Sequence, residues 1–388
     1  MKRLHKGRSR AAAAAVLALS LCATGLVHAG AREQAKRIHD RIAGVPPSAA
    51  VLDQMAMLVG NGDAQGAARI AMQSKSFYNA TLKNWITPWT NRDQTVFAPL
   101  NDYTATVIGM IRDDVDYREV LSGDILYVGG SGLPAYSPAN NSLYEQLEDT
   151  DSDLSSASVL VRTTQSSRTG IPAAATAGVM TTRAAAQAFF IAGTNRAMFR
   201  FTLMSQMCKD MEQVQDVHLP PDRIRQDVSR SPGGDSRIFL NSCIGCHSGM
   251  DPMAQAFAYY NFNETSGRME YTEGTVQPKY LINMDNFKPG YVTPNDGWNN
   301  YWRQGQNTVL GWSASGGSGN GAKSMGTELA NSTQFARCQV EKVFKTVCLR
   351  PPVNAADRSK VNDIITVFRN GYRVKDVFAE TAAYCKGQ

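Results

Sequence analysis

Residues 241–252 read NSCIGCHSGMDP, and the Cys243, Cys246, His247 grouping inside them constrains the chain more than any other feature. Two cysteines separated by two residues, with a histidine directly after, admit four readings: covalent haem, zinc, a redox dithiol, or accident. Zinc takes four ligands, usually as two close pairs, and no second Cys-x-x-Cys pair exists. A dithiol of the thioredoxin kind belongs beside a βαβ pattern, whereas this neighbourhood reads as helix and loop. C-x-x-C-H is the attachment signature of c-type haem. Its spacing has a reason: two thiols bond the macrocycle, and a short turn aims the next imidazole at the iron. The expectation is one covalently attached haem c, bonded through Cys243 and Cys246, with His247 as proximal ligand.

The compartment agrees with that reading. Lys2, Arg3, Lys6, Arg8 and Arg10 precede an apolar stretch from Ala11 to about Val27, and Val27-His28-Ala29 resembles a cleavage site. Residues 1–29 are therefore expected to be a secretory signal peptide. Leu21 before Cys22 argues against a lipid anchor. Five of the six net positive charges lie in the first ten residues, so the remainder carries a net charge of +1. That near-neutral balance excludes the basic nucleic-acid-binding class. No later apolar run is long enough to span a membrane, and a periplasmic or extracellular location is expected.

About 359 residues follow the signal, enough for two domains. Helical periodicity dominates and strand signals are few, so the fold class is mainly α: an N-terminal helical scaffold over 30–172, then a helical cytochrome c-like haem module with long loops over 173–388. Helices are expected over 33–43, stopping at Gly44; after a Ser48 cap; over 64–85; over 103–113; from Thr182; and after Thr194 or Asn195. Residues 117–129 suggest a short helix and an extended turn. Residues 131–172, rich in Ser, Thr, Asn and Gly, read as a long loop or boundary, and the Gly/Ser-rich 313–325 as mobile. Closing helices are expected near 327–346, 356–370 and 374–384. Phe201, Met204, Met207 and Met211 recur at helical spacing and read as core.

The sixth iron ligand is less constrained. Beyond the signal the other histidines are His39 and His218. Methionine is the usual partner where a c-type haem only transfers electrons. Met250 and Met253 follow His247 too closely to cross to the far haem face. Met325, in GNGAKSMG, leads because a flexible segment could wrap around the haem; Met284 follows, and an open sixth position is the third reading. Aromatic residues crowd 257–312, as a buried cofactor or an ordinary core would require. Cys208, Cys338, Cys348 and Cys385 form an even set in an exported chain, so disulfides are expected, with three connectivities open.

The stretch CIGCHSGMDPMAQAFAYYNF, residues 243–262, resembles the haem module of the secreted planctomycete-type monohaem c cytochromes, with its C-x-x-C-H-x-x-M-D-P motif and following NF. The resemblance implies that Met250, Asp251 and Pro252 belong to the motif, ending the attachment turn and packing under the haem. RIAGVPPSAAVLDQM, DVDYREVLSGDILYVG, ELANSTQFARCQVEKVF and FRNGYRVKDVFAE resemble other parts of that family more weakly. The aromatic insertion at 263–312 departs from its pattern, which puts the distal haem side in doubt.

Three functions follow as expectations. The first is an electron carrier that exchanges electrons with a redox partner protein. The second is an oxidase- or peroxidase-like haem enzyme with an open iron position. The third is a haem-bearing structural or binding subunit of a surface assembly.

Overall fold

Helix α1 (Ala31–Ala43) stops where the sequence says it should: Gly44 takes the left-handed conformation, φ 73°, and its N–H closes on the Asp40 carbonyl at 3.0 Å. Ser48 caps α2 (Ala49–Gly60) by accepting the Val51 N–H, and Asp63 caps α3 (Ala64–Ala71) in the same way through Gly66. The computed structural model describes residues 29–191, 193–281 and 290–387. The expected signal peptide, apart from Ala29, and Met284 lie outside the described residues.

The helix expected over 64–85 is interrupted. Ser74 accepts the Ser76 N–H with its hydroxyl and the Phe77 N–H with its carbonyl, competing with the helix ladder. The path resumes as a π turn (Phe77–Leu82) and α4 (Lys83–Ile86). Phe77 and Tyr78 are thereby buried edge to face, 5.1 Å apart. Helix α5 (Asp102–Arg112), capped by Asn101, is buried over nearly its whole length. A short α6 (Glu119–Ser122) leads into β1 (Leu126–Gly129), so the extended turn expected there is a strand.

Residues 131–172 are not a loop. They hold α7 (Ser142–Asp149), β2 (Leu160–Thr163) and α8 (Gln165–Thr169), and β2 pairs antiparallel with β1, Leu126 opposite Thr163. Leu143, Tyr144, Leu147, Leu154 and Leu160 are buried, and the Tyr144 hydroxyl donates to the Tyr127 carbonyl at 2.7 Å. The buried apolar positions are few, and Val161 on β2 stays exposed, which is why composition hid the core side.

Thr182 caps α9 (Arg183–Phe189), and the buried Asp102 carboxylate accepts the Arg183 and Ala184 N–H groups from the other half of the chain. Helix α10 (Arg196–Met207) carries the methionine pattern. It ends at Cys208, so Met211 belongs to the next short helix, α11 (Met211–Val214). Met207 and Met211 are buried as expected of core residues. After an irregular arm come α12 (Ser236–Ile238), a π turn (Phe239–Cys243) and α13 (Ile244–Ala254). Two-stranded ribbons β3 (Tyr260–Asn263) with β4 (Arg268–Tyr271), and β5 (Gly297–Asn299) with β6 (Ser318–Asn320), follow.

The segment 313–325 is tied down rather than free. Arg303 donates to the Ser313 and Ser315 carbonyls at 2.8 Å each and to the Glu328 carboxylate. Gly316 and Gly317 serve the left-handed turn this requires, at φ 106° and 98°. Gly321 opens α14 (Gly321–Ala330), which is followed by α15 (Thr333–Cys348), α16 (Ala355–Arg369) and α17 (Val374–Cys385). Disulfides join Cys208 to Cys338 and Cys348 to Cys385, with Cα–Cα distances of 5.3 and 5.5 Å. One apolar cluster runs from Ala35 to Cys385 and draws on both sides of residue 172. The described chain is mainly helical, and none of its helices is long and apolar enough to cross a membrane.

Candidate functional site

Cys243, Cys246, His247 and Met250 are spaced by three, one and three residues along a helical path, which puts them on one face. Cys243 closes the π turn and the others stand on α13. Widened turns of this kind are frequent at functional positions. The opposite face carries Gly245 and Gly249. The Gly245 carbonyl accepts the Asp216 N–H at 2.9 Å, and the Trp302 indole lies so close over Gly249 that a Cβ there would come within 2.1 Å of Nε1. The glycines between the motif residues let the scaffold press against the back of the helix while the thiols face forward.

Cys243 and Cys246 are the free cysteines among the described residues, both half-buried. Burial pushes the Cys246 thiol up, and Glu212, Cys243 and Asp210 add to that push against Arg200. No cluster of three or more His, Cys, Asp or Glu side chains is arranged to hold a metal ion among the described residues. The motif therefore offers two unpaired thiols and one imidazole, not a cage for a bare ion.

His247 is held from behind. Its Nδ1 lies 3.1 Å from Oδ1 of Asp251, one turn further along α13. The Asp251 side chain is fully buried (0% exposed), whereas 21% of His247 remains exposed. Arg196 of α10 donates Nε to the same Oδ1 at 2.6 Å and Nη2 to Oδ2 at 2.9 Å. It also grips Asp227 at 2.6 and 2.8 Å. The Arg225 N–H reaches Oδ2 at 3.3 Å, and its buried guanidinium stands 3.8 Å from Oδ1 and 4.9 Å over the Tyr280 ring. Burial alone would raise the Asp251 carboxyl, but Arg196, Arg225 and His247 hold it well below the usual range. A carboxylate only accepts, so in the neutral ring this contact favours the proton on Nδ1 and leaves Nε2 as the ligating nitrogen.

Pro252 lies inside α13, which continues through it to Ala254. Asp251 anchors the His247 ring through Nδ1. Met250 is buried beside that anchor. Met325 sits fully buried on α14, which packs mainly against α6 and the 255–257 turn. The mobile loop expected around it is a pinned turn and strand up to Asn320, and Met325 itself lies on the helix that follows. His39 is used at the end of α1, its Nδ1 2.8 Å from the Val45 carbonyl, and His218 is exposed beside Asp216. The aromatic residues of 257–312 pack largely into the protein core, as Phe257 and Tyr260 do on Phe190. Trp302 and Tyr280 touch the site, through its supports. Sequence reasoning missed Arg196, Arg225 and Asp227, and no local pattern marks them.

No family model, curated protein or solved structure matches this chain.

Proposed function

We propose that the chain is an exported monohaem c-type cytochrome that exchanges electrons with a redox partner protein. The observation that carries this reading is the division of the cysteines. Four are cross-linked in pairs, while Cys243 and Cys246 stay unpaired on the helix face that also presents His247. These residues fit the group: Cys243 and Cys246 would hold it by thioether bonds, and His247 would ligate its iron through Nε2. When bound, the haem supplies one-electron exchange at its iron. The chain itself orients the imidazole through Asp251, backs α13 with Trp302, and buries Met250 on the attachment side. The near-neutral charge left after the signal favours a protein partner over nucleic acid.

A second reading, a haem enzyme with an open sixth position, is favoured by one observation. Met325, the residue expected to close that position, is packed inside α14.

The test is expression in a host that attaches c haem, followed by a reduced pyridine haemochrome spectrum and an intact mass. The wild-type protein should carry one covalent haem, and C243S/C246S none; a wild-type protein without covalent haem overturns the proposal. Carbon monoxide added to the reduced protein then separates the two readings. An unchanged low-spin spectrum that becomes high-spin in Met325→Ala supports the carrier with Met325 as distal ligand. Ready carbon monoxide binding by the wild type supports the enzyme.

A further inference from the structure

We infer that Asp251 is a positioning residue that sets how strongly His247 donates to the haem iron, and that Arg196 limits the effect by competing for the same carboxylate oxygen. The inference rests on the haem reading above and deepens it. A histidine that ligates through one ring nitrogen usually anchors the other on a carboxylate or carbonyl, which orients the ring and raises its donor strength. Here the anchor is an aspartate with no exposed surface, so water does not screen its charge and the imidazole feels it strongly.

The arrangement around that aspartate is a chain of alternating charge. His247 Nδ1 and Arg196 Nε meet at a single atom, Oδ1 of Asp251, at 3.1 and 2.6 Å. Arg196 is in turn shared with Asp227 through two further hydrogen bonds. Arg225 adds its field from a fully buried position, where Nε and Nη1 make no hydrogen bond to any described residue. Whatever strengthens the hold of Arg196 on Asp251 withdraws negative charge from the imidazole, and whatever weakens it returns that charge.

The consequence is a sign pattern. Oxidised iron carries one more positive charge than reduced iron, so stronger donation from His247 stabilises the oxidised state and lowers the reduction potential. Asp251→Asn keeps an acceptor of the same shape but removes the charge, and should raise the potential. Arg196→Lys loses the two-pronged grip, leaves more charge on Oδ1, and should lower it. Asp227→Asn frees Arg196 to bind Asp251 more fully and should raise it by a smaller amount. General loosening of the site would move all three variants the same way.

The experiment is a spectroelectrochemical titration of the full-length protein, matured with haem, in wild-type form and in these variants, with haem content read from the pyridine haemochrome. Asp251→Asn should change the ratio of reduced to oxidised haem at fixed potential at least tenfold, about 59 mV for a one-electron couple. Arg196→Lys should shift it in the opposite direction. If Asp251→Asn does not fold, Arg196→Lys and Asp227→Asn retain Asp251 and carry the test by their opposite signs. Shifts of one sign throughout, or no shift in haem-loaded variants, overturn this inference alone. A wild-type protein without covalent haem removes the reading on which it stands.

Discussion

Asp251 and Asp357 are built alike and placed differently. Each is a fully buried aspartate gripped by both prongs of an arginine, Arg196 in one case and Arg350 in the other. The remaining acceptor capacity of Asp357 goes to the Val353 N–H at 3.0 Å, the Tyr384 hydroxyl at 2.9 Å and the capping box with Asn354. These fix the start of α16 and tie α17 to it. Asp251 instead turns its shared oxygen toward a histidine whose other nitrogen makes no hydrogen bond to any described residue, on the face that carries two thiols unpaired among the described residues. A buried ion pair therefore says little about function by itself; the third group it touches separates a helix anchor from the anchor of a proposed haem ligand.

The covalent ties sharpen this contrast and carry the largest expected effect. Cys208 ends the helix that bears Arg196 and is bonded to Cys338 across 130 residues; Cys348 is bonded to Cys385, next to Tyr384, across 37. Loop-closure entropy assigns about 5 kcal/mol to the first bridge and about 4 kcal/mol to the second. Urea unfolding of C208S/C338S should thus show the greater loss, together with a disturbed haem spectrum. C348S/C385S should lose less and keep the spectrum. The reverse order would mean that the two regions are not held as argued.

Removing each carboxylate breaks the comparison directly. Asp251→Ala takes the nearest carboxylate from the 2%-exposed Arg225 and leaves Arg196 with Asp227 alone, a loss of about 3–5 kcal/mol in denaturant unfolding. Asp357→Ala should cost less, because Arg350 is 31% exposed and water can take over its solvation. It should leave the haem spectrum unchanged. Equal losses, or a spectral change in Asp357→Ala, would erase the distinction between the two anchors.

What was legible in the sequence was local. Gly44 and Ser48 mark helix ends because a left-handed stop and an N-cap are properties of single residues. The Cys243–Cys246–His247 spacing declares a shared face because helical period does. The partners of that face were not legible, since Arg196 lies 55 residues before Asp251 and meets it only through packing of α10 on α13. Composition misled twice. In 131–172 polar residues cover the outward side of α7 while a few leucines and a tyrosine do the burying. In 313–325 glycines that read as mobility supply turns pinned by Arg303, and so Met325 was placed in a loop. The even cysteine set announced cross-links, but their pairing needed the arrangement of α10, α15 and α17.

The smallest predicted effect lies in acid. The Asp357 carboxyl is held down by the hydrogen bonds of Arg350 against burial, with help from the Val353 N–H and Tyr384. Asp251, fully buried, is held down by Arg196, Arg225 and His247 against that burial. A carboxyl whose folded value lies below its unfolded value of about 3.9 gives stability that is complete above that value and lost as pH falls through the folded one. Wild-type stability should therefore decline below about pH 4, and Asp251→Asn, less stable at neutral pH, should decline less steeply, by up to about 1.4 kcal/mol per pH unit for the missing proton. Asp357→Asn should flatten the same window, but only Asp251→Asn should combine that flattening with a shifted haem potential. Parallel curves for wild type and Asp251→Asn between pH 4 and 2 would show that Asp251 is not held ionised, and the alternating-charge chain behind His247 would lose its second member.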